Sequence, residues 1–165
     1  MPLISPPASL HEELPLHEIA SYPDLQRIHE HWMEMGAPPA TLDPARLPRH
    51  TLPYVMVLAV EEEPRSLRVR LAGTRFCDEY GTELRGLTTD DFFQPADAAI
   101  IAKTGFGVAM TGVPSIARKT HIAINERYWS YIRLILPLSK NGRTIDRLFK
   151  VLDPSTISMV TKQTP

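Results

Sequence analysis

The spacing of hydrophobic positions changes along the chain, and each change predicts an element. Leu25, Ile28, Trp32 and Met35 recur at i, i+3, i+7 and i+10, one stripe of a helix, while Arg27, Glu30, His31 and Glu34 lie off it. The run Ser21, Tyr22, Pro23, Asp24 reads as a helix start with proline in the first turn, and Gly36 as its end. Two surfaces could satisfy this stripe, the sheet of the same chain or a second subunit. After Pro53 the spacing becomes extended. Tyr54 to Val60 is a continuous apolar run, and Leu67, Val69 and Leu71 alternate with Arg68 and Arg70, which predicts two strands joined through the polar turn Glu61 to Arg65. Thr74 to Tyr80 reads as a short helix closed by Gly81, and Thr88 to Phe93 as a second helical fragment. Pro95 opens a longer helix to about Met110, stopped by Gly112 and Pro114.

The last part predicts three strands, Ser115 to Ile124, Arg127 to Leu138 and Thr144 to Leu152. Asn141-Gly142 between the last two signals a two-residue hairpin, which would pair Leu138 with Ile145 and Leu134 with Phe149. One face then carries Ile132, Leu134, Leu136, Leu138, Ile145, Phe149 and Val151, and reads as core. The other holds Tyr131, Arg133, Ile135, Leu148 and Lys150, a mixed surface suited to partial cover by the N-terminal helix. The simplest solution is α+β, a five-stranded antiparallel sheet with helices mostly on one face, plus the N-terminal helix.

Composition refines this picture. With 165 residues, 43% of them apolar, the chain suits one domain with a sizeable core. Of 16 prolines, ten lie at or before Pro53. Residues 1–20 therefore read as a flexible arm ordered only if it docks, 21–53 as helix and Pro-rich connector, 54–153 as the core, and 154–165 as a tail. Eighteen basic against 19 acidic side chains leave a formal net charge of −1, which argues against dedicated nucleic-acid or membrane-surface binding. No window has the apolar length of a membrane span, and the N-terminus lacks the pattern of a secretion signal, so a cytoplasmic location is expected. A single cysteine, Cys77, excludes an internal disulfide and any CxxC site.

Four stretches in order carry a resemblance: the Trp32 helix leading to Leu42-Asp43-Pro44 and Leu52-Pro53; Arg70-Leu71-Ala72-Gly73-Thr74; Tyr80-Gly81-Thr82-Glu83-Leu84-Arg85-Gly86; and Leu136-Pro137-Leu138-Ser139-Lys140-Asn141-Gly142 with Ile145-Asp146. Together they span about residues 25 to 152. Their order and spacing resemble a PAS domain, and more narrowly a family of PAS-like proteins found in proteobacteria, many of unknown ligand. The resemblance implies that 54–153 is a PAS-like core, its sheet curled around a small pocket with the helix from Pro95 as one wall. It also implies sensing of a small molecule, light or redox state, or dimerisation and signal transfer, mostly without catalysis.

Candidate chemistry is sparse. PAS sensors that bind haem commonly use a histidine of the long helix, and residues 95–110 contain none. Flavin-dependent light sensors of this fold use an Asn-Cys-Arg-Phe context, whereas Cys77 sits in Arg-Phe-Cys-Asp-Glu on another element and reads as an apolar filler, with Asp78 and Glu79 opposing thiolate formation. No cofactor follows. His29 and His31 point about 200° apart on a helix and cannot clamp one metal ion. Gly105 and Gly107 weaken the long helix by about 1 kcal/mol each, which suggests a close approach or a kink. A pocket would be lined by Phe76, Tyr80, Ile101, Thr104, Gly105 and Val108, with Ile132 and Leu134 across from them and His121 as a polar contact. A filled core satisfies the same residues.

The reading is a non-catalytic sensory or interaction domain, taking a small-molecule ligand, a signalling partner or both. A homodimer through Leu25, Ile28, Trp32 and Met35 is expected. The signal would be a population shift of the N-terminal helix against the sheet, passed to another chain. Two alternatives stand beside it. One is a cone-shaped enzyme of ketosteroid-isomerase type using Asp43, Asp146 or His121; the other is a ligand-free dimerisation module.

Overall fold

Between Trp129 and Leu138 only Ser130, Tyr131 and Arg133 carry polar side-chain atoms. A strand of that composition has no side to give to water, so layers must cover both of its faces. The computed structural model describes residues 7–162 and shows this arrangement. Strands β1 (Leu10–Leu14), β2 (Val55–Glu62), β3 (Arg65–Ala72), β4 (Ser115–Ile124), β5 (Arg127–Leu138), β6 (Arg147–Leu152) and β7 (Ser158–Thr161) form one antiparallel sheet. Its order is β1-β4-β5-β6-β2-β3, with β7 on β5. Helix α1 (Pro23–Glu34) and the connector cover one face; α2 (Thr74–Tyr80), α3 (Thr89–Phe92) and α4 (Pro95–Thr111) cover the other.

The α+β class and the five expected strands, β2 to β6, are present, and β1 and β7 are additional. Residues 10–14, expected as part of the arm, dock along β4 with His11 opposite Lys119 and Glu13 opposite Ala117. Their LHEEL sequence is too short to show a period, and their place is fixed by partners more than a hundred residues away. From the expected tail, β7 pairs with Arg127 to Ser130 in line with β6. A turn at Pro154–Thr156 separates the two strands, held by Asp153 Oδ1 accepting from the Ser155 N–H (3.0 Å). Residues 1–6 of the arm and 163–165 of the tail lie outside the described residues.

The connection from β5 to β6 corrects the expected hairpin. Leu138 pairs with Arg147 and Leu134 with Val151, a shift of two residues that preserves which side chains share a face. The turn is longer because Asn141 Oδ1 accepts from the N–H groups of Arg143 (2.8 Å) and Thr144 (2.9 Å), closing a side-chain turn in place of a two-residue one.

The layers on the two faces also differ from expectation. Leu25, Ile28 and Trp32 of α1 pack on Ile132, Leu134, Leu136, Leu138, Phe149 and Val151, the face expected beneath the other helices. Of the two surfaces that could take the α1 stripe, the chain's own sheet takes it, so Leu25, Ile28 and Trp32 are buried and no longer available as a subunit seam; Met35 alone stays exposed. The Trp32 indole N–H donates to the Pro137 carbonyl at 2.8 Å. Pro137 lies beyond Ser115–Ile135, the last β4–β5 pair, so its missing N–H faces no partner strand there.

Candidate functional site

The face beneath α2 to α4 carries charge in the middle of a core. Lys119 of β4 is 3% exposed, Arg133 of β5 2%, Lys150 of β6 4% and Asp97 of α4 4%. Tyr131, opposite Lys119, is equally buried. Ionised side chains at this depth require partners. β1 supplies two of them. Lys119 Nζ donates to His11 Nδ1 (2.8 Å), and His11 Nε2–H donates to Asp97 Oδ1 (2.8 Å), which also accepts from Ser9 Oγ (2.5 Å). This chain needs a neutral imidazole. Burial first, and the Lys119 and Arg133 charges after it, hold His11 below its ordinary value against the pull of Asp97. Arg133 donates through Nη1 to the Ser115 carbonyl (2.9 Å) and Oγ (2.8 Å), and through Nη2 to Glu13 Oε1 (3.2 Å).

Lys150 is different. Its Nζ lies 5.0 Å from the centre of the Phe93 ring, and no hydrogen bond or carboxylate reaches it from the described residues. Burial, then repulsion from Arg133 and Lys119, pushes its ammonium down to about 7. Lys119 is likewise lowered to about 7 by burial and Arg133, against Glu13 and Asp97. Two further donors in the same core, Tyr80 Oη and Trp129 Nε1, are buried without a partner. The Tyr80 ring meets Phe92 and Phe93 edge-on, with centroids 5.3 and 6.4 Å apart. Burial first, then Tyr131 and Asp97, raises its hydroxyl well above the ordinary tyrosine value.

The other half of α4 lies flush on the sheet. A Cβ at Gly105 would stand 2.6 Å from Leu67 Cδ1 and 3.2 Å from Leu148 Cδ1, so glycine is what allows the approach.

Among the expected lining residues, Phe76, Ile101 and Val108 are buried in this core and Tyr80 packs against it. Thr104 instead borders an open depression with Glu13, Lys103 and Gly107. Ile132 and Leu134 are not across from the helices: strand alternation turns them to the α1 face, and Tyr131, Arg133 and Lys150 stand in their place. His121 sits at the β4 irregularity with φ 56° and lines a half-open pocket of about 310 Å³ with Ser9, Asp97 and Tyr128. The missed residues are His11, Asp97, Lys119 and Lys150. For Lys150 the signal was the absence of a polar face on β5 and β6, which makes a cation in those strands a buried one; nothing comparable marks His11, Asp97 or Lys119.

Other candidates have local roles. His29 stacks on Trp32 with centroids 5.7 Å apart, and His31 Nε2 accepts the Asp43 N–H at 3.0 Å. Asp43 is exposed and caps a turn, and Asp146 is half-buried beside Arg147, so the two do not meet His121 in one cavity. Cys77 is half-buried, its Sγ 3.6 Å from Glu83 Oε1. Among the described residues no cluster of His, Cys, Asp and Glu could hold a metal ion, and no helix is long and apolar enough to cross a membrane.

A family model described as PAS domain matches residues 13–153. No match was found among the curated proteins or the solved structures. The matched region runs from β1 to the residue after β6 and includes α1, the sheet, α2 to α4 and most of the buried cluster. The chain belongs to the PAS domain family.

Proposed function

We propose that this domain is a sensor that holds a small molecule between α2 to α4 and the sheet and reports it to a partner protein. PAS domains are generally sensory or interaction modules, and the buried donors without partners favour the sensory reading here. A core that only holds a fold together pairs its polar atoms, because each orphan costs about 1–3 kcal/mol. Tyr80 and Trp129 leave two buried donors unpaired on one side of the sheet. The output route is β1, whose His11 and Glu13 are tied to Lys119 and Arg133. A ligand that competes for those cations would shift β1 between docked and released populations.

Native mass spectrometry of protein purified without denaturation is the test, with intact mass compared against denatured chain mass. The expected result is an additional mass that denaturation releases. A chain that carries none, and that no compound of a broad small-molecule panel stabilises against heat, would leave the interaction reading in its place. An apolar groove of about 330 Å³ between the connector and the sheet, lined by Leu42, Leu47, Leu52, Val57, Leu71 and Phe149, favours that second reading. The same spectra report whether the chain travels alone or as a homodimer.

A further inference from the structure

We infer that the groove between the connector and the sheet is a second ligand site, for an amphipathic organic acid whose carboxylate is received by Arg147. The groove lies on the α1 face, opposite the site proposed above, and the inference stands without that site. Four neighbouring strands build its floor: Leu138 of β5, Arg147 and Phe149 of β6, Val57 of β2 and Leu71 of β3. The register sets Arg147 beside Leu138, and Phe149 beside Val57, which pairs in turn with Leu71. Residues 41–52 form the roof, held down by the buried Leu42 and Leu47, yet about 330 Å³ stays open between roof and floor. That volume falls in the range of about 300–1,000 Å³ usual for small-molecule sites. Leu71, on the last strand of the sheet and half exposed, marks the mouth.

Thr41 and Arg147 are the polar residues among those lining the groove, and Arg147 gives an otherwise apolar cavity its charge. Its Nε donates to Asp146 Oδ1 at 3.3 Å, the one carboxylate within ion-pair distance of it among the described residues, and Asp146 is itself partly exposed to water. Its Nη2 is buried and meets no hydrogen-bond partner among the described residues. A guanidinium does not escape this position by shedding a proton, and its nitrogens only donate. The group that satisfies it must therefore accept. A carboxylate accepts on two oxygens and matches the fork of an arginine. Asp146 occupies the Nε corner of that fork and leaves the outer edge to such a group. The leucine, valine and phenylalanine walls suit a hydrocarbon body and offer nothing to a strongly hydrated inorganic ion.

The test follows the methyl groups of the full chain by NMR while octanoate is added at monomeric concentration, with octanamide as the neutral isostere and acetate as the headgroup alone. Saturable shifts at Leu42, Leu47, Val57 and Leu71 are expected, with octanamide bound about tenfold more weakly and acetate without effect. Arg147→Met should weaken octanoate binding by about tenfold or more. Arg143→Met, which removes an exposed arginine of the preceding turn, should leave it unchanged. Leu71→Trp fills the mouth at an exposed position with Arg147 intact, and it serves where Arg147→Met disturbs folding; it should abolish the shifts. Octanamide matching octanoate on the same methyls overturns the carboxylate. Shifts confined to Ile101 and Val108 of α4 overturn the groove and support the site proposed above. Absence of any shift overturns this inference and leaves that site to its own mass measurement. Octanoate binding undiminished in Arg147→Met overturns the assignment to Arg147, and binding undiminished in Leu71→Trp overturns the groove.

Discussion

The two faces of one sheet follow different rules, although β5 builds both. Beneath α1, Ile132, Leu134, Leu136 and Leu138 meet Leu25, Ile28 and Trp32 in an apolar layer, and the Trp32 N–H is satisfied by Pro137. Beneath α4 the same strand presents Trp129, Tyr131 and Arg133, and the Trp129 N–H is satisfied by nothing described. The two tryptophans make the contrast concrete: each is buried, and one is bonded. The first face is an apolar layer, while the second keeps polar groups whose burial costs free energy.

The sharpest way to test this division is to damage the apolar face. Leu134→Ala should lower unfolding free energy by about 3 kcal/mol, read as a reduced denaturation midpoint at unchanged m-value. Weakening the charged face should have the opposite sign. Lys150→Met should raise stability near pH 7 by on the order of 1–3 kcal/mol, because it removes a buried cation without a partner.

The pH profile separates the faces further. Lys119 and Lys150 sit at about 7 in the folded chain against 10.5 unfolded. Between these values the unfolded chain binds more protons, so stability should climb as pH rises from 7 toward 9.5. At or below pH 7 the penalty of charging them is present in full. The groups facing these lysines are Arg133 and Tyr131 on the sheet, His11 and Glu13 on β1, and Tyr80 and Asp97 on the helices. Both tyrosines are raised and stay protonated in this window. Lys150→Met should flatten the climb, and Leu134→Ala should shift the whole curve down without changing its slope, both measurable by urea unfolding at several pH values. A smaller effect compares the tryptophans. Trp32→Phe should cost about 1 kcal/mol more than Trp129→Phe, since only the former breaks a hydrogen bond and strands a carbonyl. Equal losses would remove the distinction between the two faces.

Much of the architecture was legible in the sequence. Ser115–Ile124 and Arg127–Leu138 are bounded as their patterns predict, and Gly81 ends α2 in the left-handed conformation expected of it. Alternation correctly grouped Ile132, Leu134, Leu136, Leu138, Phe149 and Val151 on one side, whereas Ile145, expected with them, precedes β6 and lies in the opposite cluster. Alternation cannot say which layer covers which side, and charge misled that step: Arg133 and Lys150 look like solvent-facing residues until β5 is recognised as having no solvent face. β1 lay beyond reach for another reason. Nothing local in Leu10–Leu14 marks a strand, and its value comes from His11 and Glu13 reaching Lys119 and Arg133. The register slip after β5 was hidden because Asn141 spends its side chain on the turn in place of adopting the backbone conformation of a tight hairpin.

The place of β1 at the sheet edge has a consequence for hydrogen exchange. β5 is bonded to β4 on one side and to β6 and β7 on the other, so its amides should exchange through global unfolding alone. β1 has a single neighbour, and its residues are exposed or half-buried. Its amides should exchange through local opening, at a rate set by how firmly His11 and Glu13 hold the cluster. Each such opening admits water to Lys119 and Arg133 while the rest of the sheet stays folded, and the exchange rate of those few amides becomes a direct gauge of how often the interior is reached from outside.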